Sequence, residues 1–435
     1  MKFKGEGNWY FFDHELAWRT YDELGFIRDA LKNDNNEVFR VTNAKKRNIK
    51  VNKSDRIHLI SISKIHEFLL SVHSFAYWFL RRKDSISIST RLNILSNSES
   101  LEMLRINRAG IALRIAKMFP SFSLRTPLYI SMLFIPKIHW KLFFKRPETI
   151  FMITTGGSLS FADQMTTLCR LVRIPVVQVF DNWDGIFTKA VMSSRPSKLL
   201  VWGEKGRQEA INVHQMKIED VVTFGSPRTR SLIKNHSTNQ RCGTKIFFAG
   251  GSTYIDDEIE ELYFLANLVT ESIIYLPHPK NYGEIRKISQ KLFARNVEIP
   301  DFVIQNQSKK KKLPPLKLYE EIFQNSFMTI SPLSTLALES GLLGIPTIVL
   351  DSQIKGQKDL GTFVQGYGHL KTLSEYSIFT IVSNKSQFLD AVKLRRSSKH
   401  SLSASSLEQM RVELLAVDYQ SSESVKLNLH IDQVS

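Results

Sequence analysis

Residues Ser331 to Pro346 have the sequence SPLSTLALESGLLGIP, and this stretch decides the predicted fold. A short apolar run, Ser326–Ile330, precedes it, and a second run, Thr347–Leu350, follows it. Such runs are typical of buried parallel strands, so the pattern predicts a strand, one helix and a second strand. A unit of this kind indicates an α/β protein built on a parallel sheet.

The start of the predicted helix is a candidate phosphate site. Backbone N–H groups and the positive end of the helix dipole favour an anion there, and the hydroxyls of Ser331, Ser334 and Thr335 lie close by in sequence. Glu339 follows Thr335 by four residues on the same helical face, where its carboxylate can accept hydrogen bonds from a ribose. The alternative is a plain Ser/Thr helix cap followed by a solvent-facing Glu.

Two further predicted strands end in sequences suited to ligand contact. Ile273–Leu276 leads into Pro277, His278, Pro279 and Lys280, and Lys245–Ala249 leads into Gly250, Gly251 and Ser252. Ligands of open α/β sheets bind beyond the carboxyl ends of the strands, so these residues are candidate donor contacts. The glycines leave room for backbone amides to approach a ligand. The alternatives are a surface histidine and an ordinary glycine turn.

An earlier strand, helix and strand pattern carries candidate acidic residues. Thr149–Ile153 is followed by Gly156, Gly157 and Ser158, then by a predicted helix and the strand Pro175–Phe180. Asp181, Trp183 and Asp184 come directly after that strand. A carboxylate in this place suits a general base that takes a proton from an acceptor hydroxyl, whereas the alternative for each aspartate is a turn cap.

A third predicted pair of strands, Leu199–Gly203 and Asp220–Phe224, flanks a helix from Glu204 to about Met216 and leads to Arg228. Arg228 is a candidate contact for a phosphate or an acceptor carboxylate, or else a solvated linker residue. Upstream, His66 and His73 fall on a helix predicted from Ile65 to Leu80. Without a third ligand nearby they are expected to be core or interface residues rather than metal ligands.

The order of these motifs resembles the donor-binding domain of GT-B-fold glycosyltransferases. The matching elements are Gly-Gly-Ser after one strand, His-Pro after the next, and Ser-x-x-Ser-Thr-x-x-x-Glu-x-x-x-x-Gly-x-Pro from Ser331 to Pro346. The His-Pro element is similar to that of bacterial sialyltransferases, Kdo transferases and CDP-glycerol glycerophosphotransferases, which use cytidine-nucleotide donors. The Gly-x-Pro element also resembles that of UDP-sugar enzymes and UDP-N-acetylglucosamine 2-epimerases. The resemblance extends over roughly residues 150–355.

This resemblance implies two Rossmann-like, doubly wound domains facing a cleft, and transfer of a sugar from a nucleotide donor, CMP- or CDP-linked, to a cell-surface glycan or lipid-linked acceptor. Asp184-Gly185 is similar to the acidic-Gly element that supplies the base in His-Pro sialyltransferases. Those proteins carry adjacent acidic residues, whereas Asn182 and Trp183 separate Asp181 from Asp184, so either aspartate is a candidate base. His278, Lys280 and the helix start would stabilise the leaving phosphate without a metal or cofactor.

Length and composition agree with two domains. At 435 residues the chain exceeds one typical core, and its 43% hydrophobic content excludes a disordered chain. The predicted boundaries are an acceptor-side domain over 1–233, a polar linker over 234–242, a donor-binding domain over 243–396, and a flexible connector with a terminal helix over 397–435.

The charge is concentrated in the first third of the chain. Residues 1–150 hold 26 Lys and Arg against 14 Asp and Glu, which is +12 of the total +17. The apolar and basic stretch Arg125–Arg146 is too interrupted for a membrane-spanning helix, and one interpretation is a peripheral contact with an anionic membrane. The alternative is a core segment with solvated basic flanks. The two cysteines, Cys169 and Cys242, and the polar start of the chain predict a cytoplasmic protein with no structural zinc site.

Three other functions stay open from the sequence. An epimerase of the same fold would need acid and base groups facing the sugar itself. A nucleic-acid-binding protein is suggested by the basic charge, although no zinc finger, RNP-type motif or basic helix of the expected kind is found. A non-catalytic scaffold is the third, because the separated aspartates leave catalysis open.

Overall fold

In the computed structural model the described residues fall in two compact units. The described residues are 8–13, 37–42, 56–59, 63–97, 108–133, 149–154, 159–180, 182–226, 229, 232–233, 235–236, 243–251, 255–285, 296–307, 314–332, 334–351, 362–397 and 404–415. Unit 1 comprises Met1–Pro227 and Val412–Ser435, and unit 2 comprises Arg228–Arg411.

The described strands of unit 1 form one parallel sheet. They are β1 (Asn8–Asp13), β2 (Glu37–Thr42), β3 (Arg56–Leu59), β4 (Thr149–Thr154), β5 (Val176–Val179), β6 (Lys198–Val201) and β7 (Val221–Thr223). The spatial order is β3-β2-β1-β4-β5-β6-β7, so the strand order reverses between β1 and β4. All residues of β5 are buried, as expected for a strand covered on both faces.

Helices pack on this sheet and against each other. They are α1 (Lys64–Arg81), α2 (Ile86–Asn97), α3 (Arg108–Met118), α4 (Pro120–Met132), α5 (Leu159–Leu171), α6 (Gly185–Thr188) and α7 (Glu204–Asn212), with a 3-10 turn at Ile218–Asp220. Helix α1 contacts α3 and α4 and contributes Tyr77 and Trp78 to the core, where they meet Ile186 and Phe187 of α6.

Unit 2 has a second parallel sheet. Its strands are β8 (Lys245–Ala249), β9 (Ile273–Leu276), β10 (Val297–Glu298), β11 (Ser326–Pro332), β12 (Thr347–Leu350) and β13 (Phe379–Val382). The order β10-β9-β8-β11-β12-β13 is, counted from the first strand of the sheet, 3-2-1-4-5-6. That is the Rossmann order, with its switch point between β8 and β11.

The helices of unit 2 follow the strands in alternation. They are α8 (Ile255–Leu268), α9 (Asp301–Gln305), α10 (Leu316–Gln324), α11 (Thr335–Leu342), α12 (Phe363–Gly366), α13 (Gly368–Lys371) and α14 (Lys385–Ser397), with 3-10 helices at Pro279–Glu284 and Thr372–Glu375. The last helix, α15 (Ala404–Leu415), begins in unit 2 and ends in unit 1. Helix α11 packs closely on the sheet, because a Cβ at Gly341 would lie only 2.2 Å from the Phe379 ring.

The prediction of two doubly wound α/β units is confirmed, while several boundaries differ. The helix expected to reach about Met216 ends at Asn212, and Gln215 then takes a left-handed φ of 57° that turns the chain into the next strand. Strands β1 and β2 lie in a region where no individual strand was predicted.

The unit boundary falls at Pro227, ahead of the polar segment 234–242, and the last residues of α15, from Val412, belong to unit 1. They pack closely there, since a Cβ at Gly203 would lie 2.5 Å from the Leu414 carbonyl oxygen. Within the parts of the chain that the structure describes, none of the helices combines the length and apolar character needed to cross a membrane.

Candidate functional site

The ends of three neighbouring strands of unit 2 lie together at the carboxyl edge of its sheet. Strand β8 pairs with β9 on one side and with β11 on the other. Gly250 and Gly251 follow β8 and are enclosed by these neighbours: a Cβ at Gly250 would lie 2.9 Å from Pro277 Cα, and one at Gly251 would lie 2.9 Å from Pro332 Cγ. The three motifs that the sequence placed at strand ends therefore share the switch point of this sheet.

A buried carboxylate that the sequence analysis missed holds the glycine loop. Glu258 of α8 accepts a hydrogen bond from the Gly251 amide at 2.6 Å and another from the Tyr275 hydroxyl at 2.6 Å. Burial raises the pKa of Glu258, and these two hydrogen bonds oppose that shift. Asn281 also donates to the Gly251 carbonyl at 3.0 Å. The Gly251 amide therefore donates its hydrogen bond to Glu258. Ser252 lies outside the described residues.

His278 begins the 3-10 helix that follows β9. Its Nδ1 accepts a hydrogen bond from the Lys280 backbone N–H at 3.2 Å. Burial, and then the nearby Lys280 ammonium, lower the pKa of His278 to about 4. The imidazole is therefore neutral near pH 7, and because Nδ1 accepts, Nε2 carries the proton and acts as a donor. Pro279 occupies the first helical position and the Lys280 side chain is exposed.

A chain of hydroxyls closes the start of α11. The Ser334 Oγ accepts from the Ala337 amide at 3.2 Å and lies 2.8 Å from the Ser331 Oγ, which donates to the Pro332 carbonyl at 2.7 Å. Since the Ser331 proton is used on Pro332, the Ser334 hydroxyl donates to Ser331. Ser334 is thus the N-cap of α11, and Thr335, the first residue of the helix, is half-buried.

Glu339 lies one turn inside α11 and is 0% exposed. The Thr229 hydroxyl donates to its Oε1 at 3.4 Å. The alternative of a solvent-facing glutamate is therefore wrong. A contact between Glu339 and a ribose stays a prediction. Thr229, which donates to its carboxylate, lies at the start of unit 2.

Asp184 lies at the carboxyl end of β5 in unit 1, at the start of the short helix α6. Lys189 forms an ion pair with its Oδ2 at 2.8 Å, and the side chain of Asp184 is 27% exposed. No hydrogen bond from the described residues reaches the buried Oδ1. Asp184 does not cap α6 through its side chain. Trp183 is half-buried and packs edge-to-face on Phe187, with 6.5 Å between the ring centroids.

Three donors from other elements hold the segment that begins with Asp184. His214 Nε2 donates to the Ile186 carbonyl at 2.8 Å, Arg91 donates to the Thr188 carbonyl at 2.9 Å, and Trp78 donates to the Ala190 carbonyl at 3.0 Å. The Arg91 guanidinium also lies 4.5 Å from the centre of the Trp78 ring. A helix this short leaves most of its carbonyls without an internal partner, and these side chains supply one.

A second buried network lies in the same unit. His73 and His66 are 0% and 1% exposed, so the expectation that they are core residues is confirmed. His73 Nε2 lies 2.6 Å from Asp163 Oδ2, and its Nδ1 lies 2.6 Å from the Leu124 carbonyl. Asp163 also accepts from the Ser194 amide at 3.1 Å. Cys169 is buried nearby in sequence on α5, and burial raises the pKa of its thiol.

Several predicted site residues lie outside the described residues, so their placement is not part of this description. They are Gly156, Gly157, Ser158, Asp181, Arg228 and Ser252. Cys242 is also among them. Within the described ranges, no three His, Cys, Asp or Glu side chains gather as potential metal ligands.

The site residues that were not predicted have only weak signatures of their role in the sequence. Glu258 stands in the acidic run Asp256-Asp257-Glu258, which looks like an ordinary solvated helix start. The ion pair between Lys189 and Asp184 was the easiest of these contacts to predict, because the two residues are only five positions apart in the sequence. The side chains that donate hydrogen bonds to α6 lie far from it in sequence. Arg91, which donates to the Thr188 carbonyl, is 97 residues away.

Comparison with known proteins gives a likeness of fold. No protein-family model matches the chain, and no curated protein sequence does. Among solved structures, UDP-GlcNAc 2-epimerase from Neisseria meningitidis bound to UDP-GlcNAc is 12% identical, covers 94% of each chain and has a TM-score of 0.50. MurG from Acinetobacter baumannii is 12% identical over 95% of each chain, with a TM-score of 0.46.

The wall teichoic acid polymerase TagF is 9% identical over 94% of this chain and 85% of that chain, with a TM-score of 0.43. At such identities the likeness concerns the fold alone. The chain has a GT-B-like fold, which glycosyltransferases and epimerases both use.

Proposed function

We propose that the chain is a glycosyltransferase that moves a sugar from a nucleotide donor to a glycan or lipid-linked acceptor. The observation that carries the proposal is the meeting of three strand ends at the β8/β11 switch point of unit 2. This edge brings His278, the Gly250–Gly251 loop and the start of α11 together, and ligands of this sheet topology bind at that point.

The chemistry of these groups suits a nucleotide phosphate. The N-terminal turn of α11 presents backbone N–H groups and the positive end of the helix dipole to an anion. The neutral His278 adds an Nε2–H donor, and Lys280 supplies a positive charge at the same strand end. Charge that develops on the leaving phosphate would be stabilised by these donors, with no covalent intermediate on the protein.

The donor is proposed to carry a cytidine nucleotide, on the resemblance of His278-Pro279 to the His-Pro element described above. Glu339 is proposed to bind the ribose. Its Oε1 accepts a long hydrogen bond, at 3.4 Å, from the Thr229 hydroxyl, and a ribose hydroxyl could replace that donor.

In unit 1, Asp184 is proposed to take the proton from the acceptor hydroxyl. Lys189 holds one of its oxygens and three side-chain donors fix the carbonyls of Ile186, Thr188 and Ala190, so the carboxylate has a defined position. Asp181 is the other candidate base. The reaction is proposed to need no metal ion.

The test is a thermal-shift and calorimetric panel of CMP, CDP, UDP, GDP and dTDP with and without EDTA. A ligand that binds only the folded chain raises the midpoint of unfolding, and a cytidine nucleotide is expected to raise it most. A shift by UDP alone would replace the proposed donor, and no shift by any nucleotide would contradict the function.

Incubation of the identified donor without acceptor separates transfer from the alternative function. An epimerase would convert the donor sugar under these conditions, whereas a transferase would return it unchanged or slowly hydrolysed. Formation of an epimeric nucleotide sugar would therefore overturn the transferase assignment while leaving the nucleotide site in place.

A further inference from the structure

Helices α3 and α4 of unit 1 are joined through Phe119, and their exposed side is apolar and basic. Their other side packs on α1 and buries small and aliphatic residues such as Ala112, Ala116 and Leu128. The outward side, here called the α3–α4 face, consists of Ile111, Arg114, Lys117, Met118, Phe119, Phe122, Arg125, Tyr129, Ile130 and Leu133.

The spacing of these residues places them on continuous helical stripes. On α4 the exposed residues Phe122, Arg125 and Tyr129 recur every three or four positions, and Leu133 continues the stripe past the end of the helix. On α3 the positions Ile111, Arg114 and Met118 do the same. Both helices therefore present an apolar stripe to the outside in addition to the one that packs on α1.

The exposure of large apolar side chains on this face is high. Met118, Phe119 and Phe122 are 63%, 60% and 65% exposed, and Leu133 is 80% exposed. Three of these four are nearly consecutive at the turn between the helices, where Phe119 separates α3 from α4. Contiguous exposed groups of this size mark an interaction surface, whereas single exposed apolar residues carry no such meaning.

The charge of these two helices has one sign. Residues 108–133 contain four basic residues, Arg108, Arg114, Lys117 and Arg125, and no acidic residue. Apolar side chains with interspersed Lys and Arg are the composition of segments that lie at the surface of an anionic bilayer. The apolar groups enter the boundary of the acyl chains, while the cations meet lipid phosphates.

We infer that the α3–α4 face docks on the surface of an anionic lipid bilayer. Two other occupants fit the face less well. A second copy would bring the same basic residues together across a symmetric contact, which like-charge repulsion opposes. A nucleic acid would find aromatic platforms, but Ile111, Met118 and Leu133 offer it neither stacking nor hydrogen bonds.

The test uses the full-length chain and vesicle flotation, without any nucleotide donor, so that it does not depend on the proposed function. Vesicles of phosphatidylcholine with about one third phosphatidylglycerol are compared with pure phosphatidylcholine. Phe119→Ser with Phe122→Ser removes the apolar tip, and Arg114→Gln with Lys117→Gln and Arg125→Gln removes the charge. We expect each variant to reduce partition onto anionic vesicles by at least about tenfold.

Matched controls change the same kinds of residue elsewhere. Ile218→Ser with Leu394→Ser removes two side chains that are 58% and 53% exposed, and Arg170→Gln with Lys371→Gln and Lys393→Gln removes three exposed cations. These variants should partition like the unchanged chain. Melting temperature confirms that every variant is folded, and the charge variant provides the test if the Phe pair does not fold.

Loss of vesicle binding in the α3–α4 variants alone supports the inference. Equal binding by those variants and the controls would overturn it, as would failure of the unchanged chain to bind anionic vesicles. A change of oligomeric state in the Phe pair, or salt-sensitive binding to single-stranded DNA that the charge variant abolishes without any vesicle binding, would assign the face to a second copy or to nucleic acid instead.

Discussion

The Nε2 of His214 donates a hydrogen bond to the Ile186 carbonyl at 2.8 Å, two residues after Asp184 in sequence. The other ring nitrogen accepts from the Tyr77 hydroxyl at 2.7 Å, so His214 is a neutral imidazole with a fixed tautomer. Burial is the main cause that lowers the pKa of His214 to about 4. His214 thus connects helix α1 to the helix that begins beside the candidate base.

His214→Phe should lower the transfer rate by about tenfold while nucleotide affinity stays constant, because it frees the Ile186 carbonyl and lets α6 shift. His214→Gln, which keeps one donor and one acceptor, should recover part of the rate. The control His66→Phe replaces another buried histidine of unit 1 that does not contact α6. If both Phe variants lose rate in proportion to their melting temperatures, His214 has only a structural role.

The same residue should make stability fall at acid pH. Between pH 6.5 and about 4 the unfolded chain binds a proton at His214 that the folded chain does not, so the free energy of unfolding falls as pH falls through this window. His214→Phe lacks this contribution, and its melting temperature should fall less steeply from pH 7 to pH 4.5. An equally steep fall in both proteins would show that protonation of His214 does not drive the loss.

Asp184→Asn should reduce turnover by about 100-fold or more and leave donor binding intact, because the amide keeps the shape of the side chain but cannot take a proton. Asp181→Asn should have the smaller effect. Asp220→Asn is a matched control, since Asp220 also pairs with a lysine at 3.0 Å and is equally 27% exposed. Normal turnover by Asp184→Asn would place the base elsewhere.

His278→Ala should weaken binding of the nucleotide donor by about tenfold, since it removes the Nε2–H donor at the strand end. His278→Gln, which retains a side-chain N–H, should lose less. Because the pKa of His278 is about 4, the ratio of the two affinities should stay constant between pH 5.5 and pH 8. A ratio that changes near pH 6.5 in calorimetric titrations would mean that the imidazolium is the binding form.

Gly250→Ala should destabilise unit 2 by about 2 kcal/mol and weaken nucleotide binding, because the added methyl group has no space. Its Cβ would lie 2.3 Å from Glu258 Oε1 and 2.9 Å from Pro277 Cα. Gly283→Ala is the control, with its nearest neighbour at 3.8 Å. Chemical denaturation of both variants measures the difference, and equal stability would mean that the loop moves aside at little cost.

Ser334→Ala with Thr335→Ala should weaken nucleotide binding at the start of α11 and lower stability by only about 1 kcal/mol, the usual cost of a lost cap. Ser63→Ala is the control in unit 1, where the Ser63 hydroxyl caps a helix by accepting a hydrogen bond from the His66 amide at the same distance, 3.2 Å. The two changes should cost similar stability, with nucleotide affinity reduced only in the double variant. Unchanged affinity there would leave Ser334 as a helix cap and nothing more.

Much of the fold could be predicted because its strands are short apolar runs that end in glycine, proline or polar residues. Ile273–Leu276 and Thr347–Leu350 were predicted at their observed bounds. Strand β2 escaped prediction because its sequence, EVFRVT, mixes polar and apolar residues instead of forming a continuous apolar run, and it lies among polar sequence. Its place inside a parallel sheet is not encoded in its own residues.

For the candidate site, the sequence determined which residues stand at the carboxyl ends of β8, β9 and β11, since that follows from local runs and from the rule that ligands bind at this edge. Only the tertiary structure decided which charged groups are buried and what they hold. Glu258 looks like a solvated helix residue, Glu339 looks like one that faces water, and both are buried carboxylates. The burial of a charge depends on contacts between segments far apart in sequence, and local pattern carries no record of those contacts.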